Sequence, residues 1–147
     1  MWVGYIAWRI LALSEENIDL TPDLNLLLQW QNIDGGWGGY LEFLSSNFHT
    51  ALTLQALKAI NYSDQDTISS ALFYLTNNQN TDGGFGFYPE DESNVYMTAM
   101  VSITLQQFSL TVDLATAINR ATDYLINQQQ VDGSWGSIYE TALAYIA

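Results

Sequence analysis

The chain has 147 residues, 48% hydrophobic and 14% aromatic, with a formal charge of −13 against which only Arg9, Lys58 and Arg120 stand as strong bases. That apolar content suffices for one compact core and excludes a disordered chain, while the charge disfavours nucleic acid and anionic membrane surfaces as partners. The absence of cysteine excludes disulfides, thiolate metal sites and cysteine nucleophiles but leaves the compartment open, and no apolar run has the length of a membrane span.

In chain order, Met1 to Leu13 is apolar but has no basic leading segment, carries Arg9 inside the stretch and shows no cleavage site. It therefore reads as a helix over 2–14 rather than a signal sequence. Thr21-Pro22 predicts a hydroxyl cap and a proline at the first position of a helix over 22–32. Leu52, Ala56, Leu57, Ala59 and Ile60 recur at helical spacing and predict 48–61. Ala71, Leu72 and Leu75 do the same for 65–79, with Ser63 ahead of Asp66 as its cap. Helices over 95–109, 113–130 (Ala117, Ile118, Ala121, Leu125, with Thr111 ahead of Asp113 as cap) and 138–147 complete an all-α reading of seven segments.

Between them one phrase recurs: Gln31-Asn32-Ile33-Asp34-Gly35-Gly36-Trp37-Gly38, Gln79-Asn80-Thr81-Asp82-Gly83-Gly84-Phe85-Gly86 and Gln129-Gln130-Val131-Asp132-Gly133-Ser134-Trp135-Gly136. Steps of 48 and 50 residues between the glutamines mark a repeat architecture, in which each unit buries its apolar face by stacking on the next. The helices before these turns form one kind. Those after them begin with an aromatic-x-Thr-Ala head: Phe48 to Ala51, Tyr96 to Ala99 and Tyr139 to Ala142. Small threonine and alanine let backbones approach there, and the glycines supply positive-φ turns. Residues 1–147 are thus expected to form a single repeat domain that looks cut at both ends, its terminal helices leaning on neighbours and prone to self-association.

The run Arg120-Ala121-x-x-Tyr124-Leu125-x-x-x-Gln129-x-x-Asp132-Gly133-Ser134-Trp135 resembles the QW motif of squalene–hopene and oxidosqualene cyclases. The Gly-Gly-Phe-Gly at 83–86 is similar to the repeats of protein prenyltransferase β-subunits. The resemblance implies an α/α toroid, here a partial ring or arc of helical hairpins, with rings of helices around an apolar cavity. It implies that Gln31, Gln79 and Gln129 tie helix ends to adjacent backbone and that Trp37, Phe85 and Trp135 stack beside them. Asp34, Asp82 and Asp132 read as braces of their own Asp-Gly turns. Trp135→Ala is expected to destabilise by several kcal/mol.

The catalytic positions depart from the family. Bacterial cyclases use an Asp-x-Asp-Asp-Thr-Ala acid, where this chain reads Asn94-Val95-Tyr96-Met97-Thr98-Ala99. No catalytic residue is assigned; Glu140 is the acid candidate at the heads, and would need a raised pKa to protonate an alkene. His49 lies where a prenyltransferase zinc histidine would, without the Asp-x-Cys pair such a site needs, so no metal or other cofactor is expected. The Glu90-Asp91-Glu92 cluster lacks EF-hand spacing and reads as a solvated loop. Trp8, Phe48, Tyr96 and Tyr139, with Tyr145, are candidate cavity-lining rings, core packing being their default role. The expectation is a non-catalytic module offering a scaffold or surface to a polypeptide or an apolar or isoprenoid ligand, as part of a larger repeat protein or by self-association. The alternative is a fragment of a class II terpene cyclase whose acid lies outside this chain; a prenyltransferase would need the missing cysteine.

Overall fold

A computed structural model describes residues 2–109 and 114–147, which hold seven α-helices: α1 Val3–Leu13, α2 Thr21–Gln29, α3 Asn47–Ala59, α4 Gln65–Asn77, α5 Val95–Phe108, α6 Ala115–Gln128 and α7 Ile138–Ile146. Among the described residues the sole β feature is an isolated antiparallel bridge between Trp37 and Ser46. The chain forms two compact units, Met1–Leu75 and Thr76–Ala147.

In the first unit α1 packs on α3 and α2. Val3, Ile6, Ala7 and Ile10 recur every three or four residues and are fully buried, which is why this stretch folds as a one-sided helix. The Arg9 guanidinium pairs with Asp23, joining α1 to α2. α3 is buried nearly all round, and its Thr50, Thr53 and small alanines suit that close packing. In the second unit α5 packs against both α6 and α7, around Ala99, Tyr124, Leu125 and Ala144.

Three helix starts differ from the sequence reading or lie beyond the description. Thr21 is the first residue of α2 rather than its cap, and its N–H donates to Asp19 Oδ1 at 3.0 Å. Asp64, not Ser63, receives the first-turn donors of α4, from Thr67 Oγ1 at 2.8 Å and Thr67 N at 3.4 Å. The Thr111–Asp113 cap lies outside the described residues. The helices ending in the repeated phrase also stop earlier than periodicity suggests, α2 at Gln29, α4 at Asn77 and α6 at Gln128. Each stops one or two residues before the motif glutamine, whose side chain is bonded into the turn.

Candidate functional site

Each turn is built alike. Gln31, Gln79 and Gln129 donate from Nε2 to the carbonyls of Gly35, Gly83 and Gly133, each at 2.9 Å. Gln31 and Gln79 also donate to the first turn of the second helix after them, α4 at Thr67 O (3.0 Å) and α6 at Ala117 O (2.8 Å). Asp34, Asp82 and Asp132 accept from the N–H two residues on, at 2.9, 2.9 and 3.0 Å, forming Asx turns. Gly35 and Gly83 hold φ of 86° and 88°, and a Cβ on either would come within 2.4 Å of the carbonyl oxygen of Ser70 or Arg120. Glycine is therefore required twice over, by backbone and by space. Arg120 adds bonds to Gln79 Oε1 (3.1 Å), Asn80 O (2.7 Å) and Thr81 O (3.2 Å).

The threonines of the helix heads do more than save space. Thr50, Thr98 and Thr141 accept through Oγ1 from the N–H of Trp37, Phe85 and Trp135, at 3.0, 2.9 and 3.0 Å. Trp37 and Trp135 further donate from the indole to Leu27 O (2.7 Å) and Leu125 O (2.6 Å), a bond phenylalanine cannot make. The recurrence of threonine, never alanine, at these three heads is the signal for that role.

Where a catalytic acid would stand, the heads cap their own helices. Ser46, Asn94 and Ser137 accept from the N–H of His49, Met97 and Glu140, at 3.1, 2.9 and 3.2 Å. The Glu140 carboxylate accepts from Ser137 N at 2.9 Å, completing a capping box. The Ser137 backbone and hydroxyl hold its pKa below the usual value, the opposite of what a proton donor to an alkene requires. Buried His49 lies between Ser46 Oγ, 2.8 Å from Nδ1, and the Trp2 indole nitrogen, 3.2 Å from Nε2. An indole only donates, so Nε2 is the acceptor and the proton sits on Nδ1. Burial lowers the His49 pKa, in keeping with this neutral form. Its free lone pair is thus taken by Trp2, and among the described residues no three His, Asp or Glu side chains gather to hold a metal.

Of the candidate cavity-lining rings, Trp8, Tyr96 and Tyr139 are exposed, as is Tyr145, so core packing does not describe them. Phe48 is half-buried, edge-on to the His49 ring at 5.1 Å. Trp2, the N-cap of α1, and Tyr5 and Trp8 within it follow at three-residue steps, all exposed. In the second unit Glu90, Asp91 and Glu92 border an open polar cleft of about 820 Å³ with Asn80, Tyr124 and Gln128.

A contrast between the first two turns was not read from the sequence. Their following loops share a conformation: Glu42 and Glu90 have φ of 65° and 68°. Asn32 Nδ2 donates to Phe43 O and Ser45 Oγ, both at 2.9 Å, as Asn80 does to Asp91 O (2.8 Å) and Ser93 Oγ (2.9 Å). On that common backbone the first turn presents exposed Ile33, Phe43, Leu44 and Phe73, where the second presents Thr81, Asp91, Glu92 and Asp123. Ile33 and Asp34 border two adjoining hollows, of about 240 Å³ with Phe43 and Leu44 and about 530 Å³ with Phe73 and Ser70. The four apolar side chains therefore gather about Ile33. Aligning the two connectors residue by residue would have exposed the difference.

The family model described as the squalene-hopene cyclase C-terminal domain matches residues 10–135. No curated protein matches the chain. Among solved structures, Candida albicans protein geranylgeranyltransferase-I complexed with GGPP is similar at 22% identity and a TM-score of 0.75, over 97% of this chain and 47% of that one. The likeness is one of fold, the α/α-toroid type, and this chain spans about half the length of that relative.

Proposed function

We propose that this chain, which belongs to the squalene-hopene cyclase C-terminal domain family, is a non-catalytic repeat module presenting a binding surface to a polypeptide or an apolar ligand. The observation that carries the reading is the exposed cluster of Ile33, Phe43, Leu44 and Phe73 on a chain of charge −13. Contiguous apolar surface of this kind marks interaction sites. The helix heads support it, since Ser46, Asn94, Ser137 and Glu140 serve as caps and His49 is bonded on both ring nitrogens. The relative complexed with GGPP makes an isoprenoid a reasonable apolar ligand to try. The charge favours a neutral isoprenoid over a diphosphate.

The family match favours a second reading, a portion of a class II terpene cyclase whose acid is supplied from outside this chain. One experiment tests the first. The chain is titrated with Nile red, with farnesol and with a leucine–lysine amphipathic peptide, then incubated with squalene and the extract analysed by mass spectrometry. Saturable binding that weakens at least about tenfold in Phe43→Asp/Leu44→Asp, with squalene unchanged, is the expected result. Cyclised product, or probe binding indifferent to that substitution, overturns the proposal.

A further inference from the structure

Tyr124 carries a donor with nothing to bond. The residue is 7% exposed, and its ring lies so close on turn two that a Cβ on Gly84 would come within 2.9 Å of Cδ2. Among the described residues its hydroxyl has no hydrogen-bond partner, and the oxygen is not sealed from the surface. What surface Tyr124 retains borders the polar cleft of the second unit, so the O–H opens there. Burial, and then the Asp82 carboxylate on the same cleft, raise its pKa and keep it a donor. A donor so placed calls for an acceptor from outside.

The remainder of the cleft has the opposite need. Asp82 and Asp91 each hold the loop through one carboxylate oxygen, Asp82 Oδ1 accepting from Gly84 N and Ser93 Oγ and Asp91 Oδ2 from Tyr88 N. The exposed side chains of Glu90 and Glu92 make no hydrogen bond among the described residues. No described Lys, Arg or His borders the cleft. Arg120, the one strong base after Lys58, is held by Gln79, Asn80 and Thr81. Nor do the carboxylates converge on a metal ion, since no three described acids gather closely enough to hold one. The cation that suits them is therefore an extended organic one. A protonated polyamine would meet the carboxylates but has no acceptor to offer Tyr124, whereas a peptide has both.

We propose that this cleft binds a basic polypeptide segment, Glu90, Asp91 and Glu92 taking its Lys or Arg side chains while Tyr124 donates to one of its backbone carbonyls. The site lies in the second unit and does not rest on the apolar cluster of the first. Because opposite charges meet, added salt weakens the binding.

The probe is an acetylated, amidated Gly-Lys-Gly-Lys-Gly-Lys-Gly peptide, which has no apolar side chain for the cluster about Ile33 to take. It is titrated into the chain at low salt beside spermidine, of equal charge, and the peptide's serine counterpart, with amide NMR shifts as the readout. The lysine peptide should saturate shifts in turn two and its loop, bind more tightly than spermidine, and leave the serine peptide without effect. Tyr124→Phe keeps the ring on Gly84 and should weaken the lysine peptide about fivefold while leaving spermidine unchanged. Glu90→Gln/Glu92→Gln, at exposed positions, should weaken both ligands about fivefold. No binding, shifts confined to other parts of the chain, or spermidine binding as tightly as the peptide overturns the proposal. So does a Tyr124→Phe variant that keeps full peptide affinity or weakens both ligands alike.

Discussion

Trp37 and Trp135 occupy the same motif position and make the same two bonds, to a threonine hydroxyl and to a carbonyl ten residues back. They differ in burial: Trp37 is fully enclosed, whereas Trp135 is half-buried. Emptying an enclosed aromatic site costs about 3–5 kcal/mol. Loss of the indole bond at Leu27 O adds about 1 kcal/mol or less, because that carbonyl keeps the Trp30 N–H at 3.1 Å. Trp37→Ala should therefore destabilise the first unit by about 4–5 kcal/mol, and Trp135→Ala, with half the area to lose, the second unit by about 2 kcal/mol. The gap of at least about 2 kcal/mol is roughly thirtyfold in an opening equilibrium. Two compact units need not unfold together, so the assay is native-state hydrogen exchange resolved by fragment. It would follow α3 amides for Trp37 and α5 amides for Trp135. Equal losses, or a larger loss at Trp135, would refute the claim that the neighbouring helix sets the value of the motif ring.

The glycines provide a parallel test by thermal melting. Gly83→Ala combines a positive φ with a Cβ 2.4 Å from Arg120 O and should cost about 2–4 kcal/mol, whereas Gly133→Ala meets only the backbone term, about 1 kcal/mol. Arg9→Ala leaves Asp23, 7% exposed, without its cation and should lower stability by about 2–3 kcal/mol in urea melts, with most of it recovered in Arg9→Ala/Asp23→Leu. The folded pKa of His49 is below the unfolded value of 6.5, so the unfolded chain binds its proton first as pH falls. The His49 contribution is complete above that unfolded value and declines as pH drops through it toward the folded pKa. His49→Gln should flatten the urea midpoint against pH between about pH 8 and about pH 5.5, and an unchanged slope would exclude His49 as the source.

Much of the fold was legible because its signals are local. Spacing at Leu52, Ala56 and Leu57 or at Ala117, Ala121 and Leu125 depends only on helical period, and an Asp-Gly pair prescribes its own turn. The repeat of Gln, Asp, Gly and an aromatic identified the architecture without coordinates. Helix ends were less legible, since Gln31 and Gln79 continue the helical pattern while their amides bond into the turn and to α4 and α6. Of the site, the caps at Ser46, Asn94 and Ser137 lie in plain sequence, but the apolar cluster does not, because residues 33, 43, 44 and 73 come together only when turn one settles on α4. The sequence by itself determined which segments coil and where the chain reverses, as these follow from neighbours along the backbone. Tertiary structure alone decided that Trp37 is sealed, that Trp135 is half open and that Trp8 faces solvent, because burial is conferred by whichever helix arrives from elsewhere in the chain.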